Sequence, residues 1–264
     1  MRFRFLSLAS GSSGNCYHIK TETTSLLVDA GIPASRIVKG LNRCGSDPDE
    51  VDALFITHEH SDHVNGLGPI ANRISKLKIF ANSGTFSKIN SQLARERREI
   101  FKTGDEMTVG DIKIQSFAVS HDTVDPVGYS FSHGGKIISI VTDTGVFTEE
   151  ILSATVDADI LAIESNYDVK MLKNGRYPMY LKQRIMSNEG HLSNSQAGDA
   201  INEIMSMEKK PRCFLLAHLS EENNNPRKAE KTVTEKLMEM DRFSGRDYYL
   251  KPLLRDRMSA IMEI

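Results

Sequence analysis

Three features are scarce in this 264-residue sequence: cysteine, long apolar runs and an excess of basic charge. No apolar run approaches the about 20 residues that span a bilayer, so we expect no membrane segment. Cys16, Cys44 and Cys213 are odd in number and lack Cys-x-x-Cys spacing, which argues against a disulfide framework or structural zinc site and favours the cytoplasm. Because the net charge is −2, a phosphate-rich partner must be held by a local basic patch or by bound cations.

The chain also lacks a low-complexity tract and a linker rich in proline, glycine or serine, so residues 1–264 are interpreted as one domain. Short apolar strands alternate with segments of helical periodicity, and hairpins are expected over 2–29 and 105–141. These patterns predict an α/β sandwich with mixed sheets inside and helices outside. The predicted helices span 33–43, 66–75, 84–98, 147–154, 194–207 and 226–240, with Ser83 and Ser193 as N-caps.

Residues 168–190, here called the basic segment, differ from the rest of the chain in charge. They carry five cationic side chains with two tyrosines between them: Lys170, Lys173, Arg176, Lys182, Arg184, Tyr177 and Tyr180. One interpretation is a solvated helical excursion. The other is a lid that contacts a polyanion, with Arg176, Lys182 and Arg184 as substrate contacts. The sequence leaves both open.

Six apolar runs end in an acid or a histidine. The residues at these strand ends are Asp29, His58, His121, Asp143, Glu164 and His218. Ligands of open α/β sheets bind beyond the carboxyl ends of the strands. One such residue would be an ordinary cap, but six indicate a shared site.

The segment THEHSDHVNG contains the densest group of potential ligands, with His58, His60, Asp62 and His63 within six residues. Such a polar segment is costly to bury without partners. Imidazoles and carboxylates suit zinc, manganese or iron, and one short loop of this kind can serve two adjacent cations. The alternative is a solvated His/Asp loop without a metal.

His-x-His-x-Asp-His after an apolar strand resembles the metallo-β-lactamase superfamily, and the later strand-end residues continue the resemblance over about residues 5–220. The resemblance implies an αββα sandwich and two divalent metal ions. It further implies that Asp143 bridges the two metals and that Asp29 orients the histidine loop. The implied ligands are His58, His60 and His121 for one metal, and Asp62, His63 and a late histidine for the other, with Asp62 also counted among the catalytic residues.

The tripeptide His-Leu-Ser occurs twice, at His191 and at His218. His218 follows the apolar strand RCFLLA and is therefore the favoured late metal ligand. His191 follows no strand and ends the basic segment. In the nucleic-acid-processing branch that this chain resembles, a strand-end glutamate pairs with a histidine that protonates the leaving group. Here those residues are Glu164 and His191, and the alternative is an exposed acid and an unrelated loop histidine.

The stretch SGSSGN forms a turn between the first two strands, where backbone amides could hold a phosphate, although a plain hairpin turn is the alternative. This stretch, DPVGYSF and GHLSN together resemble the YycJ/WalJ group of cytoplasmic 5′-to-3′ exonucleases. Further candidate substrate contacts are Ser12, Ser13, Asn15, Ser193 and Asn194. The short interval between Asp143 and His218 leaves no room for the large cap domain of some related nucleases.

We therefore expect a metal-dependent phosphodiester hydrolase that acts on DNA ends, because a poor alkoxide leaving group needs the proton donor that Glu164 and His191 would supply. A hydrolase of small phosphodiesters or thioesters, or an RNA-processing nuclease, would keep the same metal ligands. A non-catalytic scaffold of this fold would have lost ligands, and none is lost here. The sequence gives no indication of protein partners.

Overall fold

The computed structural model describes residues 2–89, 93–207, 210 and 212–264. Within these residues the chain forms two seven-stranded sheets, and the first consists of β1 (Arg4–Ala9), β2 (Cys16–Lys20), β3 (Ser25–Val28), β4 (Ala53–Phe55), β5 (Lys78–Asn82), β6 (Arg98–Phe101) and β14 (Met262–Glu263). The strands lie in the order β14-β1-β2-β3-β4-β5-β6. The β1-β2-β3 part is antiparallel and the β3-β4-β5-β6 part is parallel, so the sheet is mixed.

The second sheet consists of β7 (Glu106–Val109), β8 (Ile112–Ala118), β9 (Val127–His133), β10 (Lys136–Val141), β11 (Ile160–Glu164), β12 (Arg212–Ala217) and β13 (Tyr248–Pro252). Its strands lie in the order β13-β12-β11-β10-β9-β8-β7. Strands β10 to β13 are parallel, whereas β7 to β10 form an antiparallel meander. The expected hairpins, mixed sheets and α/β class are therefore confirmed.

The helices of the described residues are α1 (Ala34–Arg43), α2 (Ser61–Val64), α3 (Leu67–Arg73), α4 (Ser83–Lys88), α5 (Glu149–Thr155), α6 (Val169–Asn174), α7 (Met179–Ile185), α8 (Asn194–Met207) and α9 (Pro226–Met238). The helix predicted over 84–98 is wrong in its second half. Helix α4 ends at Lys88, and β6 begins at Arg98 because Ile100 and Phe101 pair with β5, which makes β6 the edge strand of the sheet. Residues 90–92 of that prediction lie outside the described residues.

Two helix starts illustrate how local capping works here. Ser193 accepts a hydrogen bond from the Gln196 amide at 3.3 Å and donates its own amide to Gln196 Oε1 at 3.0 Å, which is a capping box for α8. Ser83 is not the N-cap of α4. Asn82 takes that position, because its side chain accepts from the Thr85 amide.

The main core lies between the two sheets. Phe55 stacks on Phe80 and meets Tyr129 and Phe131 edge-on, and the Tyr129 hydroxyl donates to the Ile56 carbonyl at 2.6 Å. Each buried aromatic of this kind contributes about 1.5–3 kcal/mol of transfer free energy. Separate apolar clusters seat helices on the outer sheet faces, among them α1 and α3 on the first sheet and α8 and α9 on the second. The packing holds the carboxyl ends of both parallel strand groups at one edge.

The basic segment contains α6 and α7 and has a small apolar cluster of its own around Tyr167, Leu172 and Ile185. It is therefore packed rather than fully solvated. No helix in the described part of the chain is long and apolar enough to cross a membrane. Cys16, Cys44 and Cys213 are free thiols.

Candidate metal centre

The strand ends that carry the predicted site residues have an unusual backbone. Asp29, Asp143 and His218 have φ values of 58°, 57° and 54°, and only one other described non-glycine residue has a positive φ. A side chain in this region costs of order 1–3 kcal/mol, and such residues concentrate at functional sites. The conformation turns each of the three side chains sharply out of its strand and into one cluster.

Three ligand atoms from His58, His60 and His121 lie within 4.8 Å of one another, and we call this group the outer pocket. His121 donates from Nδ1 to the Gly190 carbonyl at 3.0 Å, so Nε2 is left facing the group. The His60 ring is turned the other way: its Nδ1 faces His121 Nε2, at a distance of 3.3 Å. His60 is also the most open member, with 32% of its side chain exposed.

Asp62, His63 and His218 form a second group with ligand atoms within the same distance, here called the inner pocket. Asp62 Oδ2 lies 3.3 Å from His218 Nε2 and 3.5 Å from His63 Nε2. Both imidazoles are almost fully buried, at 2% and 0% side-chain exposure. The inner pocket is therefore drier than the outer pocket.

Asp143 lies between the two pockets. Its Oδ2 is 3.0 Å from His63 Nε2, its Oδ1 is 3.7 Å from His121 Nε2, and with His58 and His63 it forms a further ligand group. The carboxylate thus faces one imidazole of each pocket. A bridging role of Asp143 between two metals stays a prediction.

Asp29 supports the histidine loop from behind. His63 donates from Nδ1 to Asp29 Oδ2 at 2.8 Å. The Thr57 hydroxyl donates to the same carboxylate at 3.0 Å and therefore accepts from His58 Nδ1, which lies 3.0 Å away. Asp29 consequently orients His63 directly and His58 through Thr57, so that Nε2 of each ring faces the cluster.

Glu164 has a larger role than the sequence predicted. Its Oε1 accepts from Nδ1 of His191 and from Nδ1 of His218, both at 2.9 Å. Its Oε2 accepts from the Thr144 amide at 2.9 Å and from the Leu192 amide at 3.1 Å. One fully buried carboxylate therefore positions both His-Leu-Ser histidines.

The cluster fits divalent metal ions on the chemistry of its atoms. Among the described residues, His58 Nε2 and Asp143 Oδ2 are buried without a hydrogen-bond partner, although Asp143 Oδ2 lies near His63. Buried polar atoms without partners are costly, and imidazole nitrogen and carboxylate oxygen are both metal-binding atoms. A His/Asp cluster of this composition is of the type that holds divalent metals.

The electrostatics of the two pockets differ. Burial, together with the neighbouring His63, lowers the pKa of His58 well below its ordinary value, and burial with His121 lowers the pKa of His60. Burial opposes protonation of His63 and His218 too, but the surrounding carboxylates outweigh it. They raise the pKa of His63 well above its usual range and that of His218 to about 10. The inner pocket therefore strongly stabilises positive charge, which a bound cation would also supply.

Several predicted substrate contacts are buried in packing instead. Lys182 is 9% exposed, and its ammonium donates to the Lys173 carbonyl at 2.8 Å. Asn194 accepts from the Ser165 hydroxyl at 2.7 Å, and Ser193 caps α8, so both side chains stabilise the loop before that helix. For these three residues, burial and existing hydrogen bonds argue against direct substrate contact.

The other candidate contacts divide between the surface and the cluster. Ser12, Ser13 and Arg176 are exposed. Asn15 is fully buried, with its Nδ2 3.0 Å from His63 Nε2, so it belongs to the metal cluster rather than to a substrate surface. Arg184 is half exposed and donates to Asp122 at 2.5 Å.

Three contributing side chains were missed by sequence reasoning, and Thr57, described above, is one of them. Asp122 Oδ1 lies 3.5 Å from His121 Nε2 and 3.9 Å from His60 Nε2, and its position directly after His121 was a usable signal. Asn166 donates from Nδ2 to the His218 carbonyl at 2.9 Å, and nothing in the sequence pattern indicated this contact.

Two packed mixed sheets with a His/Asp cluster at their shared edge define the metal-dependent hydrolases of the metallo-β-lactamase fold. The chain belongs to this superfamily, since the family model described as a beta-lactamase superfamily domain matches residues 24–218. The resemblance seen in the sequence is thereby confirmed, as is the expectation of an enzyme.

Among its relatives, the exodeoxyribonuclease WalJ of Streptococcus pneumoniae is 37% identical over 99% of this chain and 98% of its own length. The exodeoxyribonuclease YycJ of Bacillus anthracis is 36% identical over 90% of both chains. The crystal structure of the metallo-β-lactamase fold protein YhfI from Bacillus subtilis superposes with a TM-score of 0.76 over 100% of both chains. At 18% identity that likeness supports the fold alone.

Proposed function

We propose that this protein is a metal-dependent DNA exonuclease with two divalent cations, of zinc, manganese or iron. His58, His60 and His121 hold one cation in this proposal, and Asp62, His63 and His218 hold the other, with Asp143 between them and Asp29 behind them. The names of the WalJ and YycJ relatives support the DNA substrate. Four overlapping groups of potential ligand atoms support the metals, and the fourth consists of Asp143, Glu164, His191 and His218.

Such cations, when bound, lower the pKa of water and neutralise charge that develops on a phosphodiester. The protein's own contribution is the control of a proton. Glu164 accepts from His191 Nδ1 at 2.9 Å, so Nδ1 keeps its proton and Nε2 is the nitrogen that gives a proton to the leaving sugar oxygen when the ring is charged. The buried carboxylate fixes the orientation of the ring for this role of general acid. This pair beside the ligand groups is the observation that carries the proposal.

The remaining parts of the proposal follow from the sequence. Digestion proceeds from 5′ to 3′ on DNA ends, in the cytoplasm, where free thiols such as Cys16, Cys44 and Cys213 persist. Residues 1–264 act as one domain, with the basic segment as a lid over the outer pocket. Contacts from this lid support that role, because Gly190 holds His121 and Arg184 holds Asp122.

The test combines metal content with nuclease activity. The purified protein is stripped of metal, reloaded with Mn, Zn, Fe or Mg, and assayed on duplex DNA labelled at the 5′ or the 3′ end. Release of the 5′ label first, dependent on about two equivalents of metal per chain, is the expected result. Hydrolysis of a small phosphodiester or thioester without DNA degradation would favour the rival small-substrate hydrolase, and activity on RNA alone would favour the RNA-processing alternative.

A further inference from the structure

A groove of about 490 Å³ lies between α1 and residues 256–258, away from the metal ligands. Leu8 and Gly40 are among its lining residues, and Gly40 packs so closely on Leu8 that a Cβ there would lie 2.7 Å from the leucine. Its polar lining is mostly cationic: Arg36, Lys39, Arg43 and Arg257, with Asp256 as an acid. In a chain with a net charge of −2, this concentration of positive charge is a local feature.

Three of the cations lie on one face of α1. Arg36, Lys39 and Arg43 are spaced i, i+3 and i+7, which places them in a row along the helix. Seven residues of helix rise about 10 Å, so the three charges form an elongated row rather than a single cluster. An extended polyanion can therefore contact more than one of them at once.

These cations are not neutralised within the protein. Across residues 2–89, 93–207, 210 and 212–264, no carboxylate lies within 4.0 Å of the charged nitrogens of Arg36, Lys39, Arg43 or Arg257. By contrast, Arg4, Arg73 and Lys78 each have such a partner. Cations left unpaired in a recessed groove are available to an anionic ligand.

A short run of hydrogen bonds links the groove to the residue His218 of the inner pocket. The His218 amide donates to Ser10 Oγ at 2.9 Å, and the Ser10 amide donates to the Leu254 carbonyl at 3.2 Å. The next residue, Arg255, accepts at its carbonyl from Arg36 Nη2 at 3.2 Å. Residues 254–258 thus run from the backbone beside Ser10 to the groove, and the Arg255 side chain lies against Gly11 of the SGSSGN turn.

We propose that the groove between α1 and residues 256–258 binds the sugar-phosphate backbone of a single DNA strand that extends from the metal centre. The inference rests on the proposed nuclease function and adds where the strand runs. Basic grooves that follow the backbone are how single strands are held without sequence preference. An acidic protein segment is less suited, because the chain segment 254–258 that lines one side of the groove also bonds through Ser10 to the backbone of His218, a proposed ligand of a centre for phosphodiesters.

The first experiment measures binding without catalysis. Fluorescence anisotropy in EDTA compares a labelled 20-nucleotide single strand on wild type, on Lys39→Gln/Arg43→Gln/Arg257→Gln, and on a control, Arg2→Gln/Lys76→Gln/Lys113→Gln. Arg36 is left intact because its guanidinium holds Arg255. The control residues lie before or near the starts of β1, β5 and β8, whereas the candidate site lies at the carboxyl ends of the strands. Both variants lose three positive charges.

The groove variant should bind the strand at least about tenfold more weakly than the control. The slope of log Kd plotted against log salt concentration should also decrease by about 2, as expected for three lost phosphate contacts. Equal affinities of the groove variant and the control would overturn the proposal. So would binding of polyglutamate that is lost in the groove variant while DNA binding is unchanged, since that result assigns the groove to an acidic protein partner.

The second experiment separates this inference from the proposed function. With metal restored, the groove variant should show a raised KM on long single-stranded DNA with kcat unchanged, and no change in KM on a dinucleotide too short to reach the groove. If wild type binds DNA through the groove but cleaves none, the nuclease proposal fails and the groove stands. If all three proteins degrade long DNA with the same KM, the groove proposal fails and the nuclease stands.

Discussion

The two pockets of the metal centre are built from similar ligands but are supported differently. In the inner pocket, carboxylates hold the rings, because His63 donates to Asp29 and His218 donates to Glu164. In the outer pocket, neutral oxygens hold them: Thr57 Oγ1 for His58 and the Gly190 carbonyl for His121. A carboxylate behind an imidazole raises its basicity as a ligand. For the two-metal centre proposed above, the comparison predicts a tightly held inner metal and a more exchangeable outer one.

The outer pocket is also the one that the rest of the chain can adjust. Gly190 ends the basic segment, and Arg184 of the same segment holds Asp122 beside His60. A movement of this segment would change the support of the outer pocket directly. It would reach the inner pocket only through His191 and Leu192, which follow the segment and bond to Glu164.

The largest expected effect is from removing an inner ligand. His218→Ala should lose the inner metal. DNA cleavage should fall by more than about 100-fold, which is the upper end of the cost of removing a side chain that only orients a metal ligand. Elemental analysis of the purified variant measures the metal. His133→Ala, which changes a histidine of β9 outside both pockets, is the control. Full metal occupancy in His218→Ala would contradict the ligand assignment.

Asp29→Asn tests the carboxylate support itself. The amide keeps the shape of the side chain but removes the charge behind His63, so we expect about 10–100-fold weaker binding of the inner metal. Competition with a chelator measures the affinity of each site. Thr57→Val, which removes the hydroxyl between Asp29 and His58, should weaken mainly the outer metal. Equal effects of both variants on both metals would break the distinction between the pockets.

His191→Ala should keep both metals and lower kcat on DNA by about 10²–10⁴-fold, because only the proton donor is lost. The deficit should be much smaller on a p-nitrophenyl phosphodiester, whose leaving group needs no proton. Glu164→Gln should differ by impairing metal binding as well, since Glu164 holds His218 in addition to His191. Metal loss in His191→Ala with activity on the activated ester abolished would assign His191 as a ligand instead.

The smallest expected effect is that of Arg184→Gln. The ion pair with Asp122 is half exposed and therefore weak, worth less than about 1 kcal/mol. We expect a less than tenfold faster release of the outer metal and an unchanged release of the inner one, followed by stopped-flow transfer to a chromogenic chelator. Faster release of the inner metal would show that the basic segment acts on both pockets.

Much of the site could be read from the sequence because its signals are local or periodic. His58, His60, Asp62 and His63 share one loop, and strand ends such as Asp143 and His218 follow apolar runs that predict their position at a sheet edge. The helix over 194–207 was predictable for the same reason, since its apolar period and its Ser193 cap are contained in one segment. The helix over 84–98 was not, because pairing of β6 with β5 competes with its local helical pattern.

By itself, the sequence determined the superfamily, the α/β class with its strand-end site and the local His/Asp loop, since each depends on residue types at short or regular spacing. Only the tertiary structure decided that Glu164 serves both His191 and His218, that Lys182 and Asn15 are buried, and that a basic groove runs beside the C-terminal segment. These features join residues far apart in the chain. Which contacts they make depends on packing and burial of the whole fold, which no short stretch of sequence specifies.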